Sequence, residues 1–195
     1  FPTVWVLKRD GSGAQEAAVS LTVGTFITNV CTFMAGTFGS SATIAGTGLV
    51  NTSGHTNVFV ACYLSRDGQP RWANAPTIDG RIGGVKMDGD LTSPLLVGNF
   101  YGTNITFGGV TLTNRGIPGS DSADLFLVYY NPFGGVTWVK QFGGSLSDEV
   151  TDTASLFFEH YVAGWFQSPT FTAGNTNLVL QGTNHADGFV IRYNA

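Results

Sequence analysis

The chain repeats itself, and this repeat constrains the fold more than any single residue does. An aromatic and aliphatic run at residues 124–130 returns at residues 187–193 and occurs earlier at residues 57–63. We interpret residues 3–8 as a degraded copy of the same run. Because similar units at a spacing of several tens of residues stack on their neighbours, the repeat predicts an array of small, equivalent supersecondary units.

A second signature lies between these runs and indicates what the units are made of. Gly36, Gly98 and Gly164 each stand two residues before a phenylalanine inside an apolar run. A glycine within a strand marks a bulge or a close backbone approach. Short runs that are apolar on both faces, separated by turn residues such as those at 131–135, are typical of strands buried on both sides. The sequence therefore predicts an all-β fold of tandem antiparallel sheets of four or five strands each.

The repeats divide the chain into three units and one surplus strand. We predict repeat unit 1 at residues 1–56, unit 2 at 57–123 and unit 3 at 124–186. Residues 187–195 then form an extra copy of the first strand, which a neighbouring molecule could receive in exchange. The chain begins Phe1-Pro2 without an initiator methionine or a signal peptide, so we expect a processed product or an excised fragment.

Composition excludes two classes of partner and favours one compartment. Only 11% of residues are charged, against a usual share of about 25%. The nine basic residues are scattered, whereas nucleic-acid binding needs them clustered. The apolar runs are the length of strands, too short to span a bilayer. A neutral surface rich in Gly, Ser, Thr and Asn is common in extracellular and cell-surface proteins, which is the localisation we expect.

Unit 3 carries the strongest likeness to a known family. Its matching residues are Asp124, Phe126 and Tyr130, then Gly135, Trp138 and Lys140, then Gly143, Gly144, Ser145 and Asp148, and finally residues 161–164. In these residues the segment 124–166 resembles the repeat of bacterial seven-bladed β-propeller proteins, which are extracellular repeat proteins. The resemblance implies four-stranded blades around an axis, and it implies no chemistry, because propellers host many functions.

The number of units departs from that family. Three blades are fewer than the usual minimum of about four in a closed propeller. We therefore keep two alternative architectures, a three-fold β-prism and an open β array, beside pairing with other subunits.

The densest acidic cluster is the one candidate for a metal site. Asp148, Glu149 and Asp152 could supply oxygen ligands to calcium, although the cluster also fits a solvated turn. No nucleophile elbow, zinc-type spacing or phosphate loop is present. We therefore predict no catalytic residue, no other cofactor and no enzymatic activity.

Two further pairs are candidates for covalent modification. Asn51 and Asn104 each begin an Asn-x-Ser/Thr triplet, the acceptor pattern for N-linked glycans, so we expect a glycoprotein. Cys31 and Cys62 could form one disulfide in an oxidising compartment, or remain two buried thiols.

The copies of the first strand at both ends of the array lead to the functional hypothesis. Unpaired strand edges invite pairing with another chain. A head-to-tail contact of this kind generates filaments when it does not close. We expect a non-enzymatic extracellular structural protein, a filament subunit that assembles with itself by strand complementation. The alternative is a glycan- or protein-binding adhesive module of a larger propeller protein. The predicted assembly strands contain Val4, Trp5, Val6, Phe189, Val190, Ile191 and Tyr193.

Overall fold

A computed structural model describes residues 17–26, 29–89, 92–117, 119–156, 159–182 and 185–194. This part of the chain is all-β and contains no helix, as the sequence predicts. Its strands, in chain order, are β1 (Ala17–Phe26), β2 (Asn29–Phe38), β3 (Ser41–Ile44), β4 (Thr47–Val50), β5 (Asn57–Leu64), β6 (Pro70–Asn74), β7 (Thr77–Ile78), β8 (Ile82–Gly89), β9 (Pro94–Phe100), β10 (Asn104–Phe107), β11 (Val110–Thr113), β12 (Asp124–Tyr130), β13 (Val136–Gly143), β14 (Asp148–Leu156), β15 (Glu159–Phe166), β16 (Thr170–Ala173), β17 (Thr176–Val179) and β18 (Asp187–Asn194).

Three antiparallel sheets repeat one strand order. The first sheet has the order β1-β2-β5-β6, and the second contains β8-β9-β12-β13 in the same order. The third sheet has β14-β15-β18. Between the second and third strands of each sheet, the chain makes a short hairpin: β3–β4, β10–β11 and β16–β17. Two of these hairpins pair with a strand that precedes the first strand of their own sheet. β10 pairs with β7, which follows β6, and β16 pairs with β13 of the second sheet.

In these sheets the signature glycine of the second strand lies opposite a phenylalanine of the third strand, and this contact brings the two strands together. Gly98 lies opposite Phe126 in the pairing of β9 with β12, and Gly164 lies opposite Phe189 in the pairing of β15 with β18. A Cβ added at Gly98 would stand 2.6 Å from Cζ of Phe126. The ring therefore occupies the space that glycine leaves open. The strand on the other side of each glycine carries a bulge, which agrees with the expectation of close backbone approach.

This pairing makes the sheets cross the predicted unit boundaries. The first-strand copies β5 and β12 do not begin new sheets but occupy the third position of sheets that started in the preceding unit. The reason is the cross-strand packing of phenylalanine on glycine, which joins residues on both sides of each boundary.

The surplus strand has a place within its own molecule. β18 pairs with β15 along its whole length, from Asp187 opposite Phe166 to Asn194 opposite Glu159. Phe189 is buried there. Its counterpart in the hypothesis, residues 3–8 with Val4, Trp5 and Val6, lies outside the described residues.

The core lies between the sheets. Apolar side chains of the first and second sheets form one buried cluster, to which the hairpin β10–β11 adds Ile105, Phe107 and Leu112. The second and third sheets enclose another cluster, centred on Leu125, Leu127 and other buried side chains. The first strands of the sheets adjoin, since β8 packs against both β1 and β14. On the far face of the first sheet, the hairpin β3–β4 covers a third cluster.

No segment of the described chain forms a helix with the length and apolar character needed to cross a bilayer.

Candidate functional site

The third sheet differs from the other two along one edge. In the first sheet β6 flanks β5, and in the second β13 flanks β12. Among the described residues, no strand lies beside β18 on the side away from β15. Unpaired backbone N–H and C=O groups along such an edge are a template for a further strand. We call this side of β18 the open edge.

The outward face of the third sheet is also less covered than its equivalents. In the first and second sheets, the residue after the recurring phenylalanine of the third strand is buried against the following sheet. Leu127 holds that position in the second sheet and is fully buried by the third sheet. Val190 holds it in the third sheet and is 73% exposed. We call the surface around Val190, Ala163 and Trp165 the outward face.

Polar contacts organise this outward face. Arg192 reaches the Glu159 carboxylate at 3.3 Å, and the Tyr161 hydroxyl donates a hydrogen bond to the same carboxylate at 2.8 Å. The Glu159 bond raises the pKa of Tyr161. Because these groups are solvent-exposed, their ion pair contributes little to stability. These polar groups make the outward face less apolar, and they do not cover the open edge of β18.

The candidate calcium ligands do not converge in the structure. Asp148 points into the protein, where its carboxylate accepts hydrogen bonds from Gly144 and Ser168. Glu149 lies on the opposite face of β14 and accepts a hydrogen bond from the Tyr101 hydroxyl at 2.7 Å. Asp152 follows the bulge on that outer face and is exposed. Within the described ranges, no group of three or more His, Cys, Asp or Glu side chains is placed to hold one metal ion.

A second buried carboxyl group, which sequence reasoning did not single out, lies at the start of β12. Asp124 is fully buried, and its Oδ2 accepts hydrogen bonds from the Arg115 backbone N–H at 2.9 Å and from Gln141. Its Oδ1 has no hydrogen-bond partner among the described residues. Burial raises the pKa of Asp124 to about 6, and the nearby Asp148 acts in the same direction. The sequence signal was the polar residue that opens each first-strand copy.

The raised pKa of Asp124 predicts that the protein loses stability as pH increases. Its pKa in the folded state is about 6, against an ordinary 3.8, so folding favours the protonated carboxyl group. The stabilisation is complete below about pH 4 and is lost as pH rises through about 6, a change of roughly 2–3 kcal/mol. We expect urea unfolding at pH 4, 5, 6 and 7 to show this decline.

The control for this pH dependence is the Asp124→Asn variant, which cannot ionise at the same place. Asp148 also has a raised pKa, so some decline remains in the variant. A variant whose stability falls with pH as steeply as that of the unaltered chain would contradict the assignment to Asp124.

An open polar cavity of about 470 Å³ lies among the loops at one end of the second sheet. The Arg81 guanidinium lies 3.5 Å from the centre of the Tyr101 ring and donates two hydrogen bonds to Asp121, at 2.9 and 2.8 Å. Asp79 Oδ1 accepts hydrogen bonds from the backbone N–H groups of Thr103 and Asn104. Since the Arg81 guanidinium covers one face of Tyr101, that face is not free to stack on a sugar ring.

The two cysteines meet on one face of the first sheet. Cys62 lies opposite Phe33 and Cys31 lies opposite Leu64, so the thiols are diagonal neighbours on adjacent strands. Both are buried and unbonded in this structure. Burial and the adjacent Cys31 thiol raise the pKa of Cys62 to about 12. The structure thus brings the pair together, and a disulfide between them stays a prediction.

The two glycosylation candidates occupy different settings. The Asn51 side chain is buried, and its amide nitrogen donates hydrogen bonds to the carbonyls of Gly39 and His55. Attachment of a glycan there would require this loop to open. Asn104 begins β10 and is partly exposed, with its Oδ1 accepting a hydrogen bond from Thr113 at 2.9 Å.

One hydroxyl–imidazole pair is present in the third sheet. Ser155 Oγ lies 2.7 Å from Nδ1 of His160, its direct neighbour across β14 and β15. The His160 ring is fully buried, and its centre lies 5.5 Å from that of Tyr129. This enclosed position suits packing between the second and third sheets.

Comparison with models of known protein families gives no match. A comparison with curated protein sequences also gives none.

Proposed function

We propose that this chain is a non-enzymatic structural protein of the extracellular space or cell surface that assembles head-to-tail with copies of itself. The open edge of β18 is the observation that carries the proposal. The equivalent strands β5 and β12 each have a fourth strand at this position, so the local geometry accepts one. A fourth strand from a neighbouring copy would extend the third sheet by strand complementation.

The outward face supports the same proposal. The second sheet covers the corresponding face of the first, and the third sheet covers that of the second. A further sheet of the same kind would cover Val190 and Ala163 in the third sheet. Since the partner in such a contact uses a different surface, the association is heterologous and gives a filament unless the rotation closes a ring.

The surface composition favours the extracellular setting. With 11% charged residues, the chain presents mostly neutral hydroxyl and amide groups between its strands. We propose that the protein functions through these surfaces rather than through a catalytic centre. The propeller-like repeat is then the scaffold that carries them.

Self-association of the unaltered 195-residue chain is the first test. We expect sedimentation velocity to show oligomers that grow with concentration, and electron microscopy to show filaments or rings with a repeat of three sheets. A chain that stays monomeric at high micromolar concentration would overturn the proposal.

The outward face is tested by placing a charge at Val190. Because Val190 is 73% exposed, Val190→Asp should leave the free energy of unfolding within about 0.5 kcal/mol. In an assembly the new carboxylate would be buried against a neighbouring copy, so we expect association to weaken at least tenfold. Phe133→Asp is the matched control, since Phe133 is also 73% exposed and lies in the turn between β12 and β13 of the second sheet. Equal association of the two variants would count against the outward face.

The second candidate is an adhesive module that binds glycans or a protein, and the polar cavity near Arg81 is the observation in its favour. A monomeric chain that binds immobilised glycans, with binding lost in Arg81→Ala, would support this candidate over self-assembly.

A further inference from the structure

In the other two sheets, a fourth strand fills the position that is equivalent to the open edge of β18. This strand carries a tryptophan, Trp72 in β6 and Trp138 in β13. Trp138 faces Tyr129 of β12 in register, with the two rings stacked 5.3 Å apart at 9°. Trp72 likewise faces Cys62 of β5. In both strands an apolar residue follows the tryptophan, so a strand suited to the open edge should contain a tryptophan followed by an apolar residue.

Residues 3–8 have this pattern, and their position in the repeat supports the same role. In each sheet the signature glycine faces one residue of the first strand, namely Ala18, Val85 or Val150. Trp72 precedes Val85 by thirteen residues, and Trp138 precedes Val150 by twelve. Trp5 precedes Ala18 by thirteen. By this spacing residues 3–8 correspond to the tryptophan strands β6 and β13, and not to the first-strand copies that their sequence resembles.

The chain order shows on which side of the molecule such a strand belongs. β6 lies in the first sheet and leads into the second, and β13 lies in the second sheet and leads into the third. Residues 3–8 lead into β1 of the first sheet. By the same rule they belong to a sheet on the face of the first sheet opposite to the second. The third sheet of the same molecule lies beyond the second sheet, on the other side.

We propose that residues 3–8 of one copy form the fourth strand of the third sheet of a second copy, antiparallel to β18. This inference rests on the proposed self-assembly and names its donor. The register follows from that of β12 with β13, where Tyr129 faces Trp138 and Val128 faces Val139. Transferred to the open edge, it places Trp5 opposite Arg192 and Val6 opposite Ile191.

The register is tested by joining two chains covalently. Trp5→Cys is made in one chain and Arg192→Cys in another, and the two are mixed under mild oxidation. Directly opposed residues of neighbouring strands are close enough for a disulfide. We expect a disulfide-linked pair containing one chain of each kind, identified by mass spectrometry of the linked peptides. The matched control is Trp5→Cys mixed with Val110→Cys, since Val110 is exposed at the start of β11 beside the second sheet. This mixture should give at least tenfold less linked product.

The donor is tested by removing it. Sedimentation velocity is measured for the unaltered chain, for a chain without residues 1–8 and for Trp5→Glu. We expect the unaltered chain to assemble and both variants to remain monomeric with unchanged circular dichroism. A synthetic peptide of residues 1–10 should then bind the shortened chain and block assembly of the unaltered one.

The outcomes separate this inference from the function on which it rests. If the unaltered chain is monomeric, both are overturned. If it assembles, but the shortened chain assembles equally well and Trp5→Cys does not link to Arg192→Cys, the self-assembly stands and the donor strand is wrong. Filaments and closed rings both agree with the inference, because the same contact generates either one.

Discussion

We expect the replacement of Phe126 with alanine to lower the free energy of unfolding by about 3–5 kcal/mol. The Phe126 ring is fully buried between the first and second sheets, and its centre lies 5.0 Å from that of Phe107. It also fills the space above Gly98, where no side chain exists to collapse into the gap. The alanine variant therefore leaves a cavity that neither the glycine nor the neighbouring hairpin can close. Urea unfolding followed by circular dichroism measures the loss.

Phe133→Ala is the matched control for this substitution. Phe133 is 73% exposed in the turn between β12 and β13, so its removal should change stability by no more than about 0.5 kcal/mol. A loss below about 1 kcal/mol for Phe126→Ala would contradict the role of the phenylalanine–glycine contact in holding the sheets together.

Asp148→Ala has a comparable effect for a different reason, on the order of 4 kcal/mol. The buried Asp148 carboxylate accepts hydrogen bonds from the backbone N–H of Gly144 at 2.7 Å, from that of Gln167 at 3.1 Å, and from both the N–H and the hydroxyl of Ser168 at 3.2 and 2.7 Å. Alanine removes every acceptor at once, and the backbone N–H groups of Gly144 and Ser168 lose the partners they have here. The Gln167 N–H and the Ser168 hydroxyl keep hydrogen bonds to the carbonyls of Ser147 and Leu146. Burial raises the pKa of Asp148 while these hydrogen bonds lower it, so the contacts favour its charged form.

Two variants distinguish the hydrogen-bond network from the loss of a charge. Asp148→Asn keeps one acceptor oxygen and should recover part of the stability. Asp152→Ala removes an exposed carboxylate from the same strand and should cost no more than about 0.5 kcal/mol. If Asp148→Ala and Asp152→Ala lower the free energy of unfolding equally little, the hydrogen bonds of Asp148 do not stabilise the fold. The acidic cluster would then act as a solvated surface.

Part of the candidate site could be predicted from the sequence. The repeat predicted that residues 187–193 form a strand, and β18 confirms it. It did not predict that β18 pairs with β15 of its own molecule, because that choice depends on how Phe189 packs over Gly164. The sequence also grouped Asp148 with Asp152, since they are close in number. The bulge between Val150 and Asp152 and the alternation of the strand place them on opposite faces.

The amino-acid sequence alone predicts the all-β class, the recurring strands and the glycines that lie within them. These follow from local properties: apolar runs of strand length, turn residues between them, and glycine at a fixed distance from phenylalanine. Where each sheet begins, which carboxyl groups are buried and which strand edge stays open are known from the three-dimensional structure alone. Those outcomes depend on pairing between residues distant in the chain. In the third sheet such pairing covers one side of β18 and leaves the other unpaired among the residues that the structure describes.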